Sequence, residues 1–155
     1  THPIRPPQEE MDRYDGFWIS PDNALLAFEQ VDERDVVQYT IPHYVDDPTA
    51  KEDHRYPFAG AADPKVRLGV VQIGGVSVSD KRVVWLDLFE SGADSELYLA
   101  RVEWKDRTRL YVQTLDRHQQ ELRLFLMDAE TGRSELLLKN ISPTSWVNLR
   151  ASLAT

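Results

Sequence analysis

Apolar residues recur mostly at every second position along this chain, and that period is typical of β-strands rather than helices. The pattern predicts strands over residues 26–31, 66–73 and 83–88. Residues 66–73 are apolar at almost every position, which indicates a strand that is buried on both faces. Turn-forming residues separate four later stretches, which predict a four-stranded antiparallel meander over residues 98–104, 109–115, 121–127 and 134–138.

A weak internal repeat relates the two halves of the chain. Trp18 followed by residues 26–32 aligns with Trp104 followed by residues 110–116. The second unit has the size and strand number of a propeller blade, and the first matches a blade with residues 37–63 inserted. We therefore predict an all-β fold of about two four-stranded antiparallel blades of a β-propeller, one with a long inserted arm or loop.

These units divide the chain into four predicted parts. They are a lead segment with a short helical turn (1–16), a blade with its insertion (17–93), a compact blade (94–140) and the start of a next blade (141–155), in which residues 146–149 begin a strand. Each propeller blade buries its faces against its neighbours, so two blades alone leave two faces uncovered. Because the chain also begins at Thr1 rather than Met, we expect a piece of a longer protein or an assembled state.

Charge and composition argue against several classes of protein and site. The chain has 18 Lys and Arg residues against 26 Asp and Glu residues, a net charge of −8, which argues against nucleic acid as a partner. No stretch approaches the roughly 20 apolar residues of a membrane span. The absence of cysteine excludes disulfides, thiolate metal sites and a cysteine nucleophile.

Few residues form a recognisable catalytic or metal-binding pattern. The chain has no Gly-x-Ser-x-Gly elbow, and Gly74-Gly75 is more simply a hairpin turn than a phosphate loop. We expect no metal and no cofactor, because no pair of histidines has the spacing of a metal site: they are His2, His43, His54 and His118.

The pair Glu9-Glu10 has two possible interpretations. Two adjacent glutamates suit the exposed first turn of a helix, where acidic groups complement the helix dipole. Two carboxylates on one short, irregular turn after Pro6-Pro7 would also suit a primary ammonium, which has three donors and no acceptor. The residues alone leave both interpretations open.

The order of several short motifs resembles the bacterial dipeptidyl peptidase IV group, the prolyl dipeptidyl aminopeptidases of the prolyl oligopeptidase clan. The resemblance covers residues 8–149, with Asp63 where the family usually has Asn. The segments that carry it are residues 9–13, 16–22, 26–28, 56–60, 63–66, 99–104, 115–117 and 146–147.

The resemblance implies a fold, an activity and a site. In this family an eight-bladed N-terminal propeller caps an α/β-hydrolase domain that holds the catalytic serine, aspartate and histidine, and the enzyme removes X-Pro or X-Ala dipeptides. A glutamate pair binds the free N-terminus of the peptide substrate, and it matches Glu9 and Glu10. The resemblance further implies a homodimer with contacts from the arm over residues 37–58, and a periplasmic or secreted location. The 155 residues alone are expected to be inactive, because the hydrolase domain is missing.

A second hypothesis from another class is a non-catalytic propeller or β-sandwich module that binds a protein or a glycan. Its candidate platforms are the four tryptophans, which the strand pattern instead places in blade cores: Trp18, Trp85, Trp104 and Trp146. A Gly-x-Ser-x-Gly motif downstream in the same gene would favour the peptidase.

Overall fold

The computed structural model describes Met11 and residues 15–43, 49–74, 82–88 and 96–149. These described residues form ten β-strands, and no helix among them is long and apolar enough to cross a membrane. The strands are β1 (Phe17–Ile19), β2 (Leu25–Asp32), β3 (Gln38–Pro42), β4 (Lys51–Arg55), β5 (Lys65–Gln72), β6 (Val84–Leu86), β7 (Leu97–Trp104), β8 (Arg109–Asp116), β9 (Glu121–Asp128) and β10 (Ser134–Ile141).

The strands build two four-stranded antiparallel sheets and one hairpin. The first sheet has the order β1-β2-β5-β6, and the second has the order β10-β9-β8-β7. Every neighbouring pair in both sheets is antiparallel, and the consecutive order of β7 to β10 confirms the predicted meander of four late strands. The all-β fold with two four-stranded antiparallel sheets, as expected for propeller blades, is likewise confirmed.

The two sheets share one hydrophobic core, which we call the first core. Its buried members come from both sheets. Alternate residues of each strand point to the same face, and one face of each sheet contributes its side chains to this core. They are Ala27, Leu68, Val70, Leu86, Leu88, Leu97, Leu99, Val102, Leu110, Val112, Phe125, Met127 and Ala129. The sheets are also joined by a hydrogen bond of 3.1 Å from Trp104 Nε1 to the carbonyl oxygen of Trp18, the two tryptophans that the repeat aligns.

A glycine in the middle of the first sheet makes room for two aromatic rings. Gly69 pairs with Phe28 on one side and with Trp85 on the other. A methyl group on Gly69 would lie 2.9 Å from Phe28 Cζ and 3.0 Å from Trp85 Cζ3. The two rings close over this position with their centroids 5.8 Å apart in an edge-to-face arrangement.

The insertion between β2 and β5 contains the hairpin of β3 and β4, which the sequence predicts only as an extended arm or loop. All five residues of β3 are exposed. Tyr39 and Tyr56 both contact the ring of Phe58 edge-on, with centroids 5.9 and 5.1 Å away. The hairpin therefore presents a cluster of aromatic side chains at the surface.

Two expectations about Trp146 are wrong. Residues 146–149 form no strand, and the side chain of Trp146 is 77% exposed rather than part of a blade core. The chain is held there instead by the next residue, because Val147 is buried and its N–H donates to the carbonyl of Gln119. Trp18 and Trp104, by contrast, pack against the first core as predicted.

Candidate functional site

The outer face of the second sheet, opposite the first core, is shaped by a β-bulge in β7. Leu99 pairs with Thr114 and Arg101 pairs with Gln113, so Ala100 is an extra residue without a partner across the strand. The bulge reverses the alternation of faces, because Leu99 before it and Val102 after it both belong to the first core. Arg101 therefore points to the outer face, where simple alternation from Leu99 would have turned it inward.

A second apolar cluster covers this outer face and includes a residue from the start of the chain. Met11 is 1% exposed, and its neighbours come from three strands and the C-terminal segment. The buried members are Met11, Ala100, Leu115, Leu122 and Val147, with Tyr98 and Leu149 packed against them. The chain at Met11 is thus fixed on the second sheet by burial of its side chain.

Arg101 fixes the same residue through its backbone. Its Nη1 donates to the carbonyl oxygen of Met11 and, at 2.9 Å, to that of Ala100. Both contacts are partly buried, and one guanidinium nitrogen therefore joins the bulge to a segment 90 residues away in sequence. Apolar burial and a charge-assisted hydrogen bond hold Met11 at one place.

A buried amide lies beside this anchor. Gln113 is directly opposite Arg101 on the neighbouring strand and is 2% exposed. Paired residues on antiparallel strands share a face, so Gln113 also faces the outer side of the sheet. Among the residues that the structure describes, its Oε1 has no hydrogen-bond partner.

A network of charged residues lies at the end of the sheets where β7 begins and β8 ends. Tyr98 Oη donates to Asp63 Oδ2 at 3.1 Å, and Arg117 Nε lies 3.3 Å from the same oxygen. Arg117 Nη1 also bonds Glu96 Oε2 at 2.7 Å. This hydrogen bond lowers the pKa of Glu96 and raises the pKa of Arg117. The network ties the loop before β5 to the second sheet and borders the second cluster through Tyr98.

The predicted site residues Glu9 and Glu10 lie outside the described residues. Met11, to which Glu10 is joined by a peptide bond, is the first residue that the structure describes. Of the predicted site, the structure therefore places only the residue that follows the pair. Within the described ranges, no group of three or more His, Asp or Glu side chains could hold a metal ion.

Known proteins match both this fold of two four-stranded sheets and the sequence of the chain. The family model for the dipeptidyl peptidase IV N-terminal region matches residues 7–155, which is nearly the whole chain. The chain belongs to this family. Its match includes the Glu9-Glu10 pair, the hairpin and both sheets.

Curated relatives include both peptidases and a protein named as inactive. The chain is 28% identical to a probable dipeptidyl peptidase 4 of Emericella nidulans over 92% of its own length and 19% of the relative's. It is 32% identical to the inactive dipeptidyl peptidase 10 of Rattus norvegicus, covering 84% of the chain and 16% of that protein. This member of the dipeptidyl peptidase IV family thus spans less than a fifth of the relatives that it matches.

Solved structures of bacterial proteins match the fold. A crystal structure of Porphyromonas gingivalis dipeptidyl peptidase 4 gives a TM-score of 0.74 at 27% identity, over 88% of this chain and 18% of that one. A putative dipeptidyl aminopeptidase IV from Bacteroides ovatus gives 0.68 at 27% identity, over 83% and 17%. The dipeptidyl peptidase IV N-terminal fold is therefore supported by sequence and by structure.

The contact between Arg101 and the carbonyl of Met11 was not predicted from the sequence. A signal was present, because the apolar positions Leu97 and Leu99 are out of phase with Val102 and Trp104. Such a shift by one residue indicates a bulge in a strand that buries one face. The partner of Arg101, the carbonyl of Met11, had no comparable signal.

Proposed function

We propose that this chain is part of the N-terminal propeller of a serine exopeptidase that removes X-Pro or X-Ala dipeptides from peptide N-termini. Glu9 and Glu10 bind the substrate's terminal ammonium in this proposal. The observation that supports it is the double anchoring of Met11, which directly follows the pair in a chain of the dipeptidyl peptidase IV family. A residue so fixed limits the positions that the adjoining carboxylates can occupy.

The chemistry of the pair explains why such an enzyme would count residues from the N-terminus. An ammonium has three donors, and two ionised carboxylates supply acceptors for charge-assisted hydrogen bonds. Each bond to a charged group contributes about 1.5–3 kcal/mol, or roughly a 10- to 100-fold change in kcat/KM. Only a substrate with a free N-terminus gains this energy, so the distance from the pair to the catalytic serine sets the cleavage point.

The test uses Glu9→Gln and Glu10→Gln in the full-length protein. Both variants keep the shape of the side chain and remove its charge. We expect each to lower kcat/KM on a dipeptidyl nitroanilide by 10-fold or more. Glu135→Gln on the exposed face of β10 is the matched control and should retain full activity. Unchanged kinetics in the variant that lacks both carboxylates would refute the proposed role.

One observation favours a second candidate, a non-catalytic module that binds protein or glycan. The rat and mouse proteins named inactive dipeptidyl peptidase 10 are 32% and 35% identical to this chain. The exposed ring of Trp146 is a candidate platform for such binding. Hydrolysis of the nitroanilide by the full-length protein decides between the two, since a non-catalytic module would release no product.

We propose further that the β3–β4 hairpin contributes to a homodimer. Aromatic side chains of the hairpin and of the loop that follows it are exposed: Tyr39 is 50%, Tyr56 49% and Phe58 44% exposed. Contiguous exposed aromatic residues are typical of protein interfaces. We expect the double variant Tyr39→Ser/Tyr56→Ser to shift the full-length protein toward monomer in sedimentation velocity, whereas Leu138→Ser on β10 should not. A dimer of unchanged affinity in the double variant contradicts this assignment.

A further inference from the structure

We propose that Arg101 is a positioning residue for the segment that carries Glu9 and Glu10. This inference rests on the proposed function, because it assigns Arg101 to the recognition of the substrate N-terminus through those glutamates. Arg101 does not need to touch substrate. It acts by fixing the carbonyl of Met11, the residue that follows Glu10 in the chain.

The bulge at Ala100 is the structural device that makes this contact possible. In a regular strand Arg101 would share a face with Leu99, which is 1% exposed in the first core. A charged guanidinium there would lie among apolar side chains without a partner, at a high cost in free energy. The extra residue turns Arg101 to the opposite face, where Met11 lies.

The chemistry of the contact favours arginine over lysine. A single guanidinium nitrogen has two N–H groups, and here one nitrogen bonds both the Ala100 carbonyl of its own strand and the Met11 carbonyl. The planar, always charged group spans the two acceptors in one geometry. A lysine at this position retains the charge and loses the rigid fork, so it should restore only part of the effect.

The surroundings support a precise anchor. The Met11 side chain is 1% exposed and packs with Ala100, so the segment is held on the same patch of sheet by two independent contacts. Gln113, opposite Arg101 and 2% exposed, shows that this patch of the sheet is buried. The two contacts fix Met11 itself, and a precisely placed pair of carboxylates depends on fixed supporting residues of this kind.

The experiment measures discrimination by the full-length enzyme between two substrates. One is a dipeptidyl nitroanilide with a free N-terminus, and the other is the same molecule with hydrogen in place of the ammonium. Misplacement of a recognition group by about 1 Å costs up to 100-fold in rate. We therefore expect Arg101→Met to lower the ratio of the two kcat/KM values by about 10- to 100-fold, and Arg101→Lys to lower it by less.

A double-mutant cycle separates positioning from general stability. If Arg101 acts through the glutamates, Arg101→Met should have little further effect on the ratio once Glu10→Gln is present. Independent, multiplying losses would overturn the proposal, and so would an equal loss on both substrates. If Arg101→Met does not fold, the same double-mutant cycle with Glu10→Gln is measured with Arg101→Lys, which retains the positive charge.

Arg55→Met is the matched control. Arg55 also uses Nη1 to bond two backbone carbonyls, those of Arg34 and Val36, at the base of the hairpin. It is expected to leave the substrate ratio unchanged. The two proposals fail in different ways. A wild-type ratio of the two kcat/KM values in Glu9→Gln and Glu10→Gln refutes the proposed function. A lowered ratio in those variants together with a wild-type ratio in Arg101→Met refutes only the positioning role of Arg101.

Discussion

The turn between β9 and β10 is the place where one added methyl group should best test how the two sheets pack. Gly132 has a φ of +77°, and its carbonyl accepts a hydrogen bond of 3.1 Å from the N–H of Asp87, which directly follows β6 of the first sheet. A Cβ at this position would lie 2.5 Å from the carbonyl oxygen of Trp85. Gly132→Ala therefore combines a strained backbone conformation with a clash between the sheets.

The magnitude follows from comparison with a second glycine. Gly60 has nearly the same φ, +80°, and a Cβ there would meet nothing within 4 Å. The left-handed conformation alone costs a non-glycine residue about 1–2 kcal/mol. Overpacking against a neighbouring backbone adds about 1–3 kcal/mol. We expect Gly60→Ala to cost about 1–2 kcal/mol and Gly132→Ala about 2–5 kcal/mol.

Hydrogen exchange in the full-length protein measures both changes locally. Protection of the peptide with Asp87, whose N–H bonds Gly132, should fall by at least about 30-fold in Gly132→Ala. Protection of the peptide with Ala61 should fall by about five- to 30-fold in Gly60→Ala. Equal losses in the two variants would refute the reasoning, since the shared φ penalty would then account for the whole effect.

Two further predictions concern contacts at other turns and between the sheets. Trp104→Phe removes the hydrogen bond to the Trp18 carbonyl and should lower the free energy of opening at β1 and β7, measured by hydrogen exchange, by about 1–3 kcal/mol. The control Trp146→Phe changes a residue that is 77% exposed and should cost less than about 0.5 kcal/mol. Equal costs in the two variants would contradict the stabilising role of this hydrogen bond. A hydrogen bond from Arg109 lowers the pKa of Asp106 from 3.8 to about 2. Because the folded pKa is the lower one, the ionised carboxylate stabilises the fold above about pH 4, and this stabilisation disappears as the pH falls through about 2. Asp106→Asn should therefore lower the thermal midpoint at pH 6, with the difference from wild type closing between about pH 4 and pH 2; a difference independent of pH would contradict it.

Much of the fold could be predicted from local patterns. The strand period placed β2, β5 and the four strands of the second sheet, because a strand that buries one face must alternate and one buried on both faces must be apolar throughout. The repeat aligned Trp18 with Trp104, and these residues prove to be in contact across the two sheets. Turn residues between the strands then predicted a meander, since short connections favour antiparallel neighbours.

The same local reasoning was wrong for Trp146 and incomplete for the hairpin. An aromatic residue followed by alternating side chains predicted a strand, but residues 146–149 pair with no strand in the part of the chain that the structure describes, and Val147 is held by the carbonyl of Gln119. The insertion contains a hairpin although β3 is exposed throughout and β4 has only polar side chains. Neither outcome follows from periodicity, because pairing depends on which backbone groups the fold brings together.

The sequence by itself determined the class of fold and the family, because both depend on patterns spread along the chain: alternation, turns, a repeat and short motifs in order. Only the tertiary structure decided that Met11 is buried on the second sheet and that Arg101 holds its carbonyl. The physical reason is that this contact joins residues 90 positions apart and depends on a one-residue bulge that reverses the face of a single side chain. A charged residue in a strand has no preferred partner until the fold places an acceptor opposite it.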